Sequence, residues 1–251
     1  MSAFSDAPRA INIGHVIQQL FAVLGRNFAT FLVLAILMTG LPTAVIFTLQ
    51  INLVSTVFDG GDLGPSVYWA TLGGLVAAAA SLILQGTLIH GAVGDMEGRP
   101  MSVSASLATG LRAFLPLFLI LICVAVPVAF GCLLLIVPGV MLAAAWCVAG
   151  PAYVVEQTGV FDAIARSAEL TRGNRWRIFG LFCLYIFASI VVEVVLGAFG
   201  GLTHVARPGD VPLVTRLVAL PLLQMANVLI GAVGVSALYV ELRQAVDDVE
   251  S

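Results

Sequence analysis

Charged side chains are scarce in this sequence. It contains no lysine, and charged residues of both signs make up only 10% of its 251 residues. An ordinary soluble domain carries about 25% charged residues, so this scarcity argues against a soluble globular protein. The net charge of -3 provides no overall basic field, which argues against nucleic acid as a partner. Hydrophobic residues make up 60% instead, and this composition predicts an integral membrane protein.

Metal ligands and candidate nucleophiles are also few. The four cysteines form no CxxC pair and lie in apolar segments, where a thiol behaves as a small apolar side chain. They are Cys123, Cys132, Cys147 and Cys183. The three histidines show no HExxH motif and no paired ligand spacing. We therefore predict no metal, no cofactor and no catalytic residues.

Long apolar runs predict the number of membrane spans. A spanning helix needs about 20 mostly apolar residues to cross the hydrocarbon core. Residues 113–155 carry no charge and are too many for one span, and Pro138 and Gly139 predict a turn between two helices there. We therefore predict an all-α membrane protein with six spans, at about 29–49, 67–88, 114–137, 140–155, 178–200 and 217–239.

The distribution of arginine predicts the orientation. With six spans, all of the eleven arginines except Arg207 and Arg216 fall on one side of the membrane. The segment 59–62, on the other side, is acidic. The positive-inside rule assigns the arginine-rich side to the cytoplasm. We therefore expect an inner-membrane protein with cytoplasmic N and C termini, and no cleavable signal peptide, since the first long apolar run has full span length.

Three short segments with helical apolar spacing precede the first, third and fifth spans, at 11–25, 102–112 and 160–172. Their apolar stripes are Ile13, Val16, Ile17, Leu20, Phe21 and Leu24, then Val103, Leu107, Leu111 and Phe114, then Phe161, Ile164 and Ala168. An arginine, an aromatic residue and a span follow each segment, which is typical of amphipathic helices at a membrane interface. The pattern predicts one membrane domain, 1–251, of three units, each an interfacial helix plus a two-helix hairpin.

Arginines concentrate before the fifth span, at Arg166, Arg172, Arg175 and Arg177. Three interpretations remain open: a charge collar that seats the span, a contact with anionic lipid headgroups, or a site for a soluble phosphate ligand. No glycine-rich phosphate loop or carboxylate set accompanies them. With Arg26 and Arg112, they form a predicted headgroup-contact set, and membrane lipids are the expected partner; a protein partner stays possible.

Polar residues within the last two spans form the second candidate site. Glu193 lies in span five, where a charge costs about 2.5 to 3.5 kcal/mol and is expected to be paired or functional. Span six runs in the opposite direction and places polar residues at a similar depth. The predicted intramembrane cluster is Glu193, Gln224, Asn227 and Arg216. It either holds two helices together or forms part of a transport path.

Three stretches resemble a known family. They are "HGAVGDMEGRPMSVSASLATGLRAFLPL", "AYVVEQTGVFDAIARSAELTRGNRWRIFGLF" and "ALYVELR", and their most specific residues are Glu156, Gly159, Ala163, Arg166, Ser167, Leu170, Tyr239, Leu242 and Arg243. They look like the membrane domain named after glycerophosphoryl diester phosphodiesterase and similar bacterial inner-membrane proteins. The resemblance implies a helical membrane domain that some relatives carry fused to a soluble phosphodiesterase barrel.

The family name does not transfer an activity to this chain. A phosphodiesterase of that kind needs a barrel with metal-binding carboxylates, and the spans and short helices leave no room for one. We therefore expect a non-catalytic membrane protein that assists or organises lipid processes of the membrane or envelope. The alternative is a small transporter or lipid-translocating protein that uses the cluster around Glu193. An intramembrane enzyme is less favoured, since no nucleophile and base set is present.

Overall fold

The structure is a computed structural model that describes residues 11–58, 63–99, 102–199, 212 and 214–250, and these residues contain helices and no strand. The helices are α1 (Ile13–Arg26), α2 (Phe28–Ala35), α3 (Leu41–Phe58), α4 (Leu63–Met96), α5 (Val103–Leu134), α6 (Ile136–Trp146), α7 (Ala149–Glu156), α8 (Val160–Leu170), α9 (Arg175–Phe199) and α10 (Leu220–Glu250). Two π-helical turns, Ile36–Gly40 and Thr215–Ala219, precede α3 and α10. The predicted all-α membrane class is confirmed.

Six segments of the described chain are long and apolar enough to cross a membrane. They are Phe28–Ile51, Val67–Met96, Val103–Leu134, Val137–Glu156, Arg175–Val195 and Leu217–Val246. Each overlaps one of the six spans predicted from the sequence. The length of an apolar run is a strong signal, because the thickness of the hydrocarbon core sets it directly.

The turn between the third and fourth segments lies earlier than predicted. Leu135 separates α5 from α6 and has an extended backbone, with φ -157° and ψ 131°. Pro138 falls in the first turn of α6, where its missing N–H is tolerated. Its ring excludes the carbonyl of Leu134, four residues earlier, so the break precedes the proline by three residues. The prediction of a turn at Pro138 and Gly139 was therefore wrong in position.

The fourth segment is two helices and not the single helix predicted over 140–155. A turn at Cys147 and Val148 separates α6 from α7. Pro151 stands in the first turn of α7 and would clash with the carbonyl of Cys147 in a continuous helix. The same rule therefore explains both breaks.

The predicted interfacial segment 102–112 is not a separate helix. It forms the first part of α5, which continues through Pro116 and Pro127 to Leu134 without interruption. The other two segments are separate: α1 ends at Arg26, and α8 ends at Leu170 before a turn that contains Gly173 at φ 85°. Glycine adopts that left-handed conformation without strain, as expected for a residue just beyond a helix end.

The described chain divides into two compact units. The first unit comprises Met1–Phe28, Gln85–Tyr185 and Ile230–Ser251, and its core contains fully buried Tyr239, Ile178 and Leu242. Within it, α4 and α5 approach closely at two glycines: a methyl group on Gly86 would lie 3.1 Å from the Cα atom of Gly110. Small residues at a helix contact are typical of membrane proteins, since they let the backbones approach.

The second unit comprises Ala29–Leu84 and Ile186–Leu229. Both π-helical turns belong to it, and each ends two residues before a proline, Pro42 or Pro221. The wider turn accommodates the proline ring and the hydrogen bond that it removes, so each helix continues. A methyl group on Gly40 would lie 2.7 Å from Met225 Sδ, which shows how closely the first π-helical turn packs against α10.

Candidate functional site

In the three predicted amphipathic segments, the residues that are buried against the protein are only partly those of the predicted apolar stripes. The buried residues are Val16, Leu20 and Val23 in α1, Ser106, Gly110 and Ala113 in α5, and Ala163, Ser167 and Leu170 in α8. Three large residues of the predicted stripes are exposed instead: Phe21 by 65%, Leu111 by 55% and Phe161 by 75%. Exposure of these apolar side chains is what a membrane-facing stripe predicts, and the interfacial position of the three segments stays a prediction. Small side chains permit close packing on the protein, and the large apolar ones point away from it.

Helix α8 is held against α6 by two hydroxyl groups. Ser167 Oγ donates to the carbonyl of Ala145 at 3.0 Å, and Thr171 Oγ1 donates to the same oxygen at 3.1 Å. Both side chains are fully buried. Ala145 lies next to the end of α6, where helix carbonyls lack donors within their own helix. The two hydroxyls therefore satisfy a backbone group at the break that Pro151 causes.

Glu156 joins three helices through one carboxylate oxygen. Its Oε1 atom accepts a hydrogen bond from Tyr239 Oη at 2.9 Å and lies 3.4 Å from Arg166 Nε. Arg166 also contacts Glu169, at 3.6 Å. Tyr239 is fully buried, so its hydroxyl needs a partner inside the protein. This contact fixes the end of α7 to both α8 and α10.

The N-terminal segment is tied to the beginning of α9. Asn174 Oδ1 accepts a hydrogen bond from the amide of Ile11 at 3.2 Å, and Arg177 Nη1 donates to the carbonyl of Ile11 at 2.9 Å. His15 Nδ1 lies 2.7 Å from a carboxylate oxygen of Glu241 in α10. These contacts join sequence positions more than 150 residues apart, so α1 belongs to the packed first unit.

A shallow, open pocket of about 370 Å³ adjoins this connection. It is lined by Ile11, Asn12, Ile13, Gly14 and Arg177. Asn12 caps α1, and its side chain accepts hydrogen bonds from the amides of Gly14 and His15. The capped amides are thus already paired, and the guanidinium of Arg177 supplies the positive charge at the pocket.

The six arginines of the predicted headgroup-contact set divide into two groups. Arg26 pairs with Asp95 at 2.6 Å, and Arg166 pairs with Glu156 and Glu169. Among the described side chains, no carboxylate lies within 4 Å of the other four. These are Arg112, Arg172, Arg175 and Arg177, and in Arg175 a buried Nε atom has no hydrogen-bond partner. We call Arg172, Arg175 and Arg177 the basic turn, because they lie in or next to the turn between α8 and α9.

An exposed aromatic residue accompanies the basic turn. Trp176 is 67% exposed, and its ring meets that of Phe179 edge to face with 6.0 Å between the centroids. Tryptophan is enriched at the level of lipid headgroups, because its ring is apolar and its N–H is polar. The basic turn therefore combines three guanidinium groups with an exposed tryptophan of the kind found at membrane interfaces.

Among the described side chains, one member of the predicted intramembrane cluster, Asn227, has a hydrogen-bond partner, and that partner, Ser189, was not predicted. Asn227 is half-buried, and its Oδ1 atom accepts a hydrogen bond from Ser189 Oγ at 3.2 Å. Glu193 and Gln224 are exposed, and no described side chain forms a hydrogen bond or ion pair with Glu193. The side chain of Arg216 lies outside the described part of the structure.

The position of Glu193 along its helix is informative. It follows Arg175, the first residue of α9, by 18 positions (193 minus 175), which corresponds to about 27 Å of helix. Helix α9 itself continues six residues beyond Glu193, to Phe199. Measured from Arg175, about 27 Å is close to the hydrocarbon thickness of about 30 Å, so a carboxylate at this position can reach the far interface.

Sequence reasoning missed the partners that link distant segments: Asn174 for Ile11, Glu241 for His15, and Glu156 for Tyr239. One signal was available, since Glu156, Arg166, Ser167 and Tyr239 belong to the residues that carry the family resemblance. The structure brings Glu156, Arg166 and Tyr239 into direct contact. Family-specific residues thus mark the packing centre of the first unit.

The fold defines a multi-pass helical membrane protein. Residues 111–251 match the family described as "Membrane domain of glycerophosphoryl diester phosphodiesterase", and the chain belongs to this family. It is also similar to a UPF0259 membrane protein of Pectobacterium carotovorum subsp. carotovorum (strain PC1), with 35% identity over 80 residues. The alignment covers 32% of this chain and 32% of that protein, so the chain spans about a third of the length of the curated relative it matches. No solved structure matches the chain.

Proposed function

We propose that this protein is a non-catalytic inner-membrane protein that assists or organises lipid processes by holding anionic phospholipid headgroups at the basic turn. The observation that carries the proposal is the division of the arginines. Arg26 and Arg166 have carboxylate partners, whereas no described carboxylate lies near Arg172, Arg175 or Arg177. The positive charge of these three arginines is therefore not neutralised by a described side chain and can attract an external anion, although Nη1 of Arg177 already donates to the carbonyl of Ile11.

The chemistry of the basic turn suits a phosphodiester. A guanidinium presents planar, paired N–H donors that match two phosphate oxygens. The exposed ring of Trp176 supports a position at headgroup level, and the cytoplasmic side predicted for the turn carries anionic lipids. The family name refers to a glycerophosphoryl diester, the chemical group that also forms phospholipid headgroups, which supports the same class of ligand.

Headgroup binding at the basic turn can be tested by neutralising its three arginines. The triple variant Arg172→Gln, Arg175→Gln, Arg177→Gln should retain much less phosphatidylglycerol and cardiolipin after gentle detergent extraction. Each arginine near an anionic surface contributes about 1 kcal/mol, or roughly fivefold in affinity at low salt. The measurement is native mass spectrometry of the co-purified lipids.

A matched control removes the same charge from arginines that have carboxylate partners. Arg26, Arg99 and Arg243 pair with Asp95 or Glu97, so their replacement by Gln should leave lipid retention nearly unchanged. Equal lipid loss in both triple variants would show a general charge effect and overturn the proposal. Unchanged lipid retention in the basic-turn variant, with altered topology, would instead favour a plain charge collar.

The transport alternative has narrower support. The hydrogen bond between Ser189 and Asn227 provides a polar contact between α9 and α10 within the second unit. The carboxylate expected in this cluster belongs to Glu193, which is exposed and forms no hydrogen bond or ion pair with a described side chain. A single side-chain pair of this kind suffices to join two helices.

A further inference from the structure

The end of the α5–α6 hairpin is the most exposed apolar surface of the first unit. Leu133 is 82% exposed, Leu134 77%, Leu135 68% and Val137 63%. Large exposed apolar patches mark contact with membrane or with another protein. We call these four residues the hairpin tip.

The hairpin tip contains no loop that could enter water. Leu135 alone separates α5 from α6, and its amide donates to the carbonyl of Gly131 at 3.0 Å. The two helices meet at Gly131 and Gly139, where a methyl group on Gly131 would lie 2.8 Å from the Cα atom of Gly139. Two glycines thus permit a turn of one residue between antiparallel helices.

The sequence around the tip contains no polar side chain suited to an aqueous loop. From 113 to 155 there is no charged residue and no serine, threonine, asparagine, glutamine or histidine. The other two segments predicted on that side differ, since 59–62 reads DGGD and 200–211 includes His204, Arg207 and Asp210. Connections that reach water normally carry such residues.

Helix lengths place the tip at the edge of the hydrocarbon. Twenty-two positions separate Arg112 from Leu134 (134 minus 112), which corresponds to about 33 Å of helix. Twenty positions separate Ile136 from Glu156, or about 30 Å at most, because a turn interrupts that stretch. The hydrocarbon core is about 30 Å thick. A hairpin anchored by Arg112 and Glu156 therefore ends about where the acyl chains of the opposite leaflet end.

The tip continues a lipid-facing stripe along α5. Exposed residues recur at helical spacing up to the turn, and they are Leu115, Leu119, Ile122, Val126 and Phe130. Each is between 44% and 62% exposed. The exposed apolar surface along α5 thus continues without interruption onto the hairpin tip.

We propose that the hairpin tip remains among the acyl chains of the leaflet opposite to Arg112 and Glu156 and does not enter the aqueous phase. Its partner is lipid hydrocarbon. The third and fourth apolar segments thus form a hairpin inserted from one side, whose turn contacts lipid tails. This inference is independent of headgroup binding at the basic turn.

A single-cysteine variant tests the tip. In a background with all four native cysteines replaced by alanine, Leu133→Cys places a thiol at the most exposed tip position. The purified full-length protein is reconstituted in phosphatidylcholine vesicles and reacted with a nitroxide spin label. Collision of the label with oxygen, which concentrates in hydrocarbon, is compared with collision with a water-soluble nickel chelate. Leu135→Cys serves as a second tip variant if the first fails to fold.

Two control positions calibrate the measurement. Ser104→Cys lies at the exposed beginning of α5, and Thr203→Cys lies in the polar segment 200–211. At the tip, we expect the collision rate of the nitroxide with oxygen to exceed its collision rate with the nickel chelate at least several-fold. At both control positions, we expect the collision rate with the nickel chelate to be the higher one. High nickel accessibility at the tip would overturn the proposal, since the turn would be in water. Low accessibility to both reagents would overturn it too, because protein would cover the tip.

Discussion

At the residue scale, the side chain of Glu156 contacts two other helices. One of its oxygens contacts both Tyr239 and Arg166, so a single carboxylate connects the end of α7 to α8 and α10. The sequence identifies the arginines but does not show which of them have a carboxylate partner. Asp95 is 69 positions from Arg26, and Glu156 is 10 positions from Arg166, so no local pattern links either pair. Only tertiary packing decides which arginines have a carboxylate partner and which do not.

The hydroxyl of Tyr239 offers a one-atom test of this connection. Tyr239→Phe keeps the buried ring and removes the hydrogen bond to Glu156. A hydrogen bond to a charged group contributes about 1.5 to 3 kcal/mol, so the variant should unfold several degrees lower in detergent. Thermal unfolding followed by circular dichroism measures the difference.

Tyr153→Phe is the matched control for Tyr239→Phe. Tyr153 is half-buried in α7, and its hydroxyl forms no hydrogen bond to a described residue. Its replacement should leave the unfolding temperature within about a degree, as expected when no specific contact is lost. Equal shifts in the two variants would contradict the role assigned to the contact between Tyr239 and Glu156.

At the element scale, span positions were predictable and helix breaks were not. Apolar length locates each span, whereas Pro138 and Pro151 act on carbonyls four residues earlier and move the breaks towards the N terminus. Helix α5 continues through Pro116 and Pro127, so a proline alone does not predict a turn. Proline is tolerated inside membrane helices where neighbouring helices, side chains or a local change of helix geometry satisfy the freed backbone groups.

The contact between α4 and α5 provides the element-scale prediction. Gly86→Ala would place a methyl group 3.1 Å from Gly110 Cα and 3.2 Å from Leu117 Cδ1, so the helices must move apart. Overpacking of this kind costs about 1 to 3 kcal/mol, and the variant should unfold at lower temperature. The same thermal unfolding measurement applies.

Gly94→Ala is the control, because it lies in the same helix with no heavy atom within 4 Å of the added methyl group. It makes the same change in helix propensity and should be neutral or stabilising by about 0.4 to 1 kcal/mol. A loss of stability at Gly94 as large as that at Gly86 would point to backbone effects and argue against the close contact with α5.

At the scale of the whole molecule, the fold class follows from composition, and the number of spans follows from the lengths of the apolar runs. A chain with 60% hydrophobic residues has few stable alternatives, since every backbone polar group in lipid must be paired within a helix or barrel. The candidate site is less predictable, because α1 reaches α9 and α10 through Asn174 and Glu241, which no local pattern links to it. Orientation remains a prediction from the arginine distribution.

Orientation is tested by fusing reporters to the full chain. The positive-inside rule predicts that both termini and the basic turn share the cytoplasmic side, because nine of the eleven arginines (eleven minus Arg207 and Arg216) lie there. A fluorescent protein that matures only in the cytoplasm should therefore be bright after residue 251, and alkaline phosphatase should be inactive there. Phosphatase inserted after Thr203 should be active instead. An active phosphatase at residue 251 would reverse the orientation and place the basic turn opposite the anionic cytoplasmic leaflet, which would also remove the electrostatic basis for headgroup binding.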